Sequence, residues 1–75
     1  MVTVLEMQEG KQGKISSING GIGLQKKLEN MGITKGSEIF KISSQWLKGP
    51  VIIRHGNTEL AIGYNMARKI MVEIL

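Results

Sequence analysis

Apolar residues recur along the chain at two spacings, one typical of a helix and one typical of strands. Leu24, Leu28 and Met31 fall at i, i+4 and i+7, which places them on one face of a helix. Gly32 can take the left-handed conformation that ends a helix, and Ile33 can then pack back on Leu28 as in a Schellman motif. The pattern predicts a helix from Leu24 that ends at Gly32.

Five other segments have the apolar composition and the flanking turn residues of short strands. The third and fourth of them are separated by Gly56-Asn57, a pair suited to a mirror-image hairpin turn. Residues Tyr64 to Lys69 between the last two segments can form about one helical turn. The predicted strands are Lys14–Ile18, Glu38–Ser43, Val51–His55, Thr58–Ile62 and Ile70–Leu75.

These elements fit a small curled barrel better than a large layered sheet, because closure removes most exposed strand edges. The fold class is therefore predicted to be mainly β, a small SH3-like five-stranded barrel with one helix inserted after the first strand. The 75 residues are expected to form a single domain. A two-layer α+β domain is the alternative. The predicted core is Ile15, Ile18, Leu24, Leu28, Ile33, Ile39, Ile42, Ile53, Leu60, Ile62, Ile70 and Val72.

The composition of the chain excludes several kinds of chemical site. The chain has no Cys, which excludes disulfides, thiolate metal sites and a cysteine nucleophile. The longest apolar run, Pro50–Ile53, is too short to cross a membrane. The N-terminus lacks a basic region ahead of its apolar residues, so we expect a cytoplasmic protein. The net charge is +4, but the basic residues are scattered, as on a solvated surface.

Few residues could carry catalysis or bind a metal. His55 is the single histidine, the chain has no Asp, and its six Glu are dispersed. His55 and Glu59 flank the predicted hairpin turn, where they could form a weak surface site for a divalent metal such as Fe2+, or a sensor shared across a dimer. A metal centre normally needs more ligands, so an exposed pair at the hairpin tip is the favoured interpretation.

The predicted loop between the second and third strands carries Trp46, Leu47 and Lys48 ahead of the Gly49-Pro50 breaker. An exposed aromatic residue of this kind can anchor an interface, and Lys48 would then meet an acidic partner. The alternative is that Trp46 folds back as a lid on one end of the barrel. The polar helix face with Lys26 and Lys27 is a second candidate contact.

The central pattern, Leu24-x-x-x-Leu28-x-x-Met31-Gly32-Ile33-x-x-Gly36-Ser37, resembles the FeoA family (ferrous-iron transport protein A). It is also similar to the small C-terminal barrel of iron-dependent repressors of the diphtheria-toxin-repressor type. The likeness continues through the leader 5–13 and through Leu60-Ala61-Ile62. Two positions depart from the family: Trp46 stands where its middle loop often has proline, and Gly63 where it often has arginine.

The resemblance implies an accessory protein without enzymatic activity. Such a protein would dock on the cytoplasmic part of the ferrous-iron transporter FeoB, which contains a GTP-binding domain, and would modulate uptake. Contact with the membrane would be indirect, through the transporter. The expected partner-binding residues are Trp46, Leu47, Lys48, Lys26 and Lys27. A nucleic-acid-binding barrel is the rival hypothesis, but the chain has three aromatic residues and no stacking motif.

Overall fold

A computed structural model describes residues 1–45 and 47–75, which form one sheet around a single core. The described residues form six antiparallel strands in one sheet, in the order β1-β6-β2-β3-β4-β5. Two short helices complete the elements of the described residues, and the predicted mainly β class is confirmed. The elements are β1 (Val2–Thr3), β2 (Gln12–Ile18), α1 (Ile22–Asn30), β3 (Glu38–Ser44), β4 (Val51–His55), β5 (Thr58–Ile62), α2 (Tyr64–Ala67) and β6 (Ile70–Ile74).

Strand β1 is the element that the sequence analysis did not predict. It has two residues, too few for an alternating pattern to be visible, and it pairs with β6 through Val2 and Val72. Just beyond it, the Val4 N–H donates to the carbonyl of Ile70 over 2.9 Å. The count of five strands was therefore one too few, because pairing with a distant strand orders the start of the chain.

A reciprocal cap fixes the turn that follows β1. The Thr3 N–H donates to the Glu6 carboxylate over 2.9 Å, and the Glu6 N–H donates to the Thr3 hydroxyl over 3.1 Å. This is the capping-box arrangement of a Thr-x-x-Glu sequence. The hydrogen bond from the Thr3 N–H, and after it the interaction with the Thr3 side chain, stabilise the carboxylate and lower the pKa of Glu6. The turn places Val4 and Met7 in the core, where neither was predicted.

Two bulges explain why the strand patterns are irregular. The β2–β6 register shifts between Ile15 and Ser17, which lets Ile15 and Ile18 point inward although they are three residues apart. The β3–β4 register shifts between Lys41 and Ser43. Each bulge increases the local twist, and together they help the sheet to curl around its core.

The core prediction was largely confirmed, with one clear error in β3. Strand alternation puts Ile39 and Lys41 on the inner face, so Ile42 is only half-buried and not a core residue. The half-buried Ile18, Leu24 and Leu60 pack against the edge of the core. The buried apolar residues are Val4, Met7, Ile15, Leu28, Ile33, Ile39, Val51, Ile53, Ile62, Ala67, Ile70 and Val72.

Lys41 is a charged residue inside the core, with only 2% of its surface exposed. Its Nζ donates to the main-chain carbonyls of Leu5 and Met7, over 2.8 Å and 2.5 Å. Its own main chain bonds the leader as well, since the Gly10 N–H donates to the Lys41 carbonyl and the Lys41 N–H to that of Lys11. Lys41 thereby fastens the N-terminal leader across the end of the sheet.

Burial lowers the pKa of Lys41, and the Glu9 carboxylate partly opposes this by raising it. The unfolded chain keeps the proton up to the ordinary value of 10.5, whereas the folded chain releases it at a lower pH. Between these two pKa values the unfolded state binds more protons, so stability rises with pH. We expect the unfolding free energy of wild type minus that of Lys41→Met to grow as pH is raised from about 7 towards the ordinary pKa of lysine, measured by urea titration. A pH-independent difference would contradict this.

Helix α1 ends as predicted. Gly32 has φ +81°, its N–H donates to the Glu29 carbonyl, and the Ile33 N–H donates to the Leu28 carbonyl, each over 2.9 Å. These are the two hydrogen bonds of a Schellman motif, and Ile33 and Leu28 are both fully buried. The helix begins at Ile22 rather than Leu24. No side chain caps its start, so the sequence carries no capping signal for this boundary.

Candidate functional site

The β3–β4 loop (residues 45–50) presents the most exposed large apolar side chain of the described residues. Leu47 is 96% exposed, although leucine normally gains about 2 kcal/mol when buried. Lys48 beside it is also exposed. The predicted partner-binding residues Leu47 and Lys48 therefore stand together in solvent, and the predicted anchor Trp46 lies outside the described residues.

The backbone of this loop is strained. Leu47 and Lys48 have φ +57° and +62°, and within the described residues they are the non-glycine residues with positive φ. The left-handed conformation costs roughly 1–2 kcal/mol for a residue with a Cβ atom. Glycine and asparagine are the residues that usually adopt this conformation. The loop thus holds an exposed leucine in a conformation that leucine disfavours.

Neighbouring groups hold the loop in place. The Gln45 N–H donates to the Pro50 carbonyl over 3.3 Å, which closes the loop at its base. The Ser44 N–H donates to the Glu9 carboxylate over 2.9 Å and ties the end of β3 to the leader. These hydrogen bonds fix the base of the loop, and neither Leu47 nor Lys48 takes part in them.

Lys48 also contacts an aromatic ring that the sequence analysis did not assign to the site. Its Nζ lies 5.8 Å from the ring centroid of Tyr64, at the start of α2, a distance suited to a cation–π interaction. The pairing of Val51 with Ile62 in the β4–β5 hairpin brings the two together. Continuing the predicted hairpin register beyond Val51 and Ile62 places Tyr64 opposite Gly49, the residue next to Lys48 in the sequence, so this extension would have brought Tyr64 to the site.

Lys26 and Lys27 lie on α1 and are exposed, as predicted. Lys27 is in the last turn, where a positive charge favours the helix dipole. The end of α1 meets His55, whose Cδ2 is 3.7 Å from the position of a Cβ at Gly32. His55 ends β4, whereas the β3–β4 loop precedes its first residue, about 13 Å away along the strand. We therefore treat the helix lysines as a separate surface.

The hairpin does not bring His55 and Glu59 together. His55 pairs with Thr58 and Glu59 with Arg54, and adjacent pairs project to opposite faces of the sheet. The His55 Nδ1 is 3.0 Å from the Glu38 carbonyl, so Nδ1–H must donate, and the ring links β4 to β3. Among residues 1–45 and 47–75, no three metal-ligating side chains of the His, Cys, Asp and Glu types cluster. The predicted metal pair thus lacks the geometry of a shared site.

No helix within the described part of the chain has both the length and the apolar character needed to cross a membrane.

Known proteins are similar to this chain over most of its length. The family model for the FeoA domain matches residues 2–74. The putative Fe(2+) transport protein A of Methanocaldococcus jannaschii is 41% identical over 66 residues, which are 88% of this chain and 78% of that protein.

Solved structures give the same result. The crystal structure of an iron uptake regulatory protein (FeoA) has a TM-score of 0.88 and 38% identity, covering 99% of this chain and 96% of the other. A manganese-dependent transcriptional repressor has a TM-score of 0.89 at 16% identity over 97% of this chain and 41% of its own, which shows a common fold alone. With the family model spanning nearly its whole length, the chain belongs to the FeoA family.

Proposed function

We propose that this protein is a non-enzymatic accessory of ferrous-iron transport that docks on the cytoplasmic part of the transporter FeoB. Membership of the FeoA family supports a role in ferrous-iron transport. The proposal that the β3–β4 loop is the docking surface rests on Leu47, an exposed leucine with a strained backbone. Backbone strain of this kind is characteristic of functional loops, where a partner uses the geometry that the strain maintains.

The chemistry of the loop defines the complementary surface on the partner. Leu47 requires an apolar pocket, since its burial on binding would recover the free energy that exposure forgoes. Lys48 requires an acidic group at the rim of that pocket, and its position over Tyr64 limits the orientations of the ammonium group. We infer a docking site on FeoB that combines an apolar recess with a carboxylate. Trp46 is included in the proposed docking surface because it stands beside Leu47 in the sequence.

Leu47→Asn tests the docking surface. Asparagine tolerates the left-handed backbone better than leucine, so the fold should keep or slightly gain stability. Binding to the isolated cytoplasmic domain of FeoB should fall at least about tenfold, because the apolar anchor is lost. Isothermal titration calorimetry with a parallel thermal melt measures both effects.

Ile22→Asn is the matched control, because Ile22 is 73% exposed but lies on a different element, α1. Its affinity for the FeoB domain should stay within about twofold of wild type, which is the range of ordinary surface changes. Equal binding by wild type and Leu47→Asn would refute the loop as the docking surface. If the Ile22 variant alone loses affinity, the partner instead binds α1, the surface that carries Lys26 and Lys27.

A further inference from the structure

Strand β5 is a five-residue strand at one edge of the sheet. It is the last strand in the order β1-β6-β2-β3-β4-β5, and β1 at the opposite edge has only two residues. Natural proteins usually blunt such edges with proline, charged residues or a bulge. Strand β5, Thr58–Ile62, has one charged residue, Glu59, contains no proline, and keeps a continuous register with β4.

The hairpin register shows which main-chain groups this edge exposes. A two-residue loop makes His55 and Thr58 a hydrogen-bonded pair, so bonded and non-bonded pairs alternate along the strands. The N–H and C=O groups of Glu59 and Ala61 therefore point away from β4. Within residues 1–45 and 47–75, β4 is the one strand that pairs with β5, and no turn or loop hydrogen bond involves the main chain of Glu59 or Ala61. Both residues are exposed.

We propose that the β5 edge binds the β5 edge of a second copy of this chain, in antiparallel register centred on Leu60. Glu59 of one copy then lies opposite Ala61 of the other, and each such pair exchanges two main-chain hydrogen bonds. The two-fold axis repeats the pair, which gives four hydrogen bonds in total. The two Leu60 side chains face each other as a non-hydrogen-bonded pair, where side chains approach closely.

Charge and strand length select this register over its neighbours. Hydrogen bonding between the outward groups allows only shifts of two residues, so the competing two-fold registers centre on Glu59 or on Ala61. Centring on Glu59 places two carboxylates directly opposite each other, which is destabilising. Centring on Ala61 pairs Glu59 with Gly63, which lies outside the strand. Only the Leu60 register pairs all five residues of both strands.

The interface is small, so the association is a weak and reversible one. A five-residue ladder buries far less surface than the interfaces of standard size that stable complexes need. The charge of +4 on each copy adds a repulsion that salt screens. Self-association should therefore strengthen when moderate salt is added.

The test is a charge exchange across the predicted register, read by sedimentation equilibrium over roughly 0.05–2 mM protein. Wild type should show reversible dimerisation. Ala61→Glu places a carboxylate opposite Glu59 twice and should weaken the dimer at least about fivefold. Ala61→Lys places opposite charges there and should tighten it. The double variant Glu59→Lys with Ala61→Glu restores the opposite pairs and should recover dimerisation.

Position 61 is exposed at an edge, so each variant should melt cooperatively within a few degrees of wild type. Hydrogen exchange gives a second reading, since the amides of Glu59 and Ala61 should become protected as the protein concentration rises. A wild type that stays monomeric over the whole range would overturn the proposal. A dimer that is equally strong in Ala61→Glu and Ala61→Lys would overturn it too.

Discussion

Lys41→Ala should bring this domain close to unfolding. The substitution leaves the buried carbonyl of Met7 without its donor, which costs about 1–3 kcal/mol, and the part-buried carbonyl of Leu5 loses its donor at a smaller cost. It also opens a cavity where the side chain stem was packed. We expect a total loss of about 3–5 kcal/mol, against a total stability of roughly 4–11 kcal/mol for a domain of this length. Urea titration at neutral pH measures the loss.

Two controls separate the causes. Lys41→Met keeps most of the volume and removes only the donor, so it should cost about 1–3 kcal/mol. Lys35→Ala removes an exposed lysine and should change stability by less than about 0.5 kcal/mol. In Lys41→Met the amide of Gly10, which bonds the Lys41 carbonyl, should exchange faster as the leader loosens. A loss below about 1 kcal/mol in Lys41→Ala would show that the leader does not depend on this lysine.

Leu28→Ala should release helix α1 from the sheet. Leu28 is the single fully buried residue of that helix, and it accepts the hydrogen bond from Ile33 that closes the Schellman motif. Truncating a fully buried leucine costs about 2–5 kcal/mol through lost burial and the remaining cavity. A nine-residue helix is not stable alone in water, so its order depends on this anchor.

Leu24→Ala is the matched control on the same helix, because Leu24 is only half-buried. It should cost about 1 kcal/mol, in proportion to the apolar surface that it buries. Circular dichroism and hydrogen exchange of the α1 amides report whether the helix detaches before the sheet unfolds. If Leu24→Ala costs as much as Leu28→Ala, the helix is held by its whole face rather than by one anchor.

The parts of the fold that sequence reasoning predicted well are those specified by local signals. The Schellman end at Gly32 and Ile33 depends on residues a few positions apart, and the structure matches it bond for bond. The Gly56-Asn57 turn is equally local, since Gly56 has φ +61° and the two flanking strands pair in register.

The parts that were missed depend on contacts between distant segments. β1 forms because it pairs with the edge of β6, and a segment of two residues is too short to show a strand pattern in the sequence. Lys41 was overlooked because a lysine inside a strand is usually read as solvent-facing, whereas here distant carbonyls satisfy it. The Thr3-x-x-Glu6 capping box was visible in the sequence, and recognising it would have predicted the turn that buries Val4.

For the candidate site, the sequence supplied the loop and its exposed residues but not their conformation. Positive φ at Leu47 and Lys48 runs against the preference of both residue types, so no propensity argument predicts it. The prediction of a metal pair at the hairpin tip failed for a different reason. Closeness in sequence suggested a site, but the strict alternation of a strand sends His55 and Glu59 to opposite faces.

The position of β6 between β1 and β2 has a consequence for how the chain is made. Strands β2 to β5 neighbour one another in chain order, so they can pair in turn as they leave the ribosome. β6 is the last of the six described strands to emerge, yet it is the partner that both β1 and β2 require. Until it inserts, Val4 lacks the carbonyl of Ile70 and the leader has no edge to join. A nascent chain that stalls before β6 therefore exposes apolar leader residues that a chaperone can recognise.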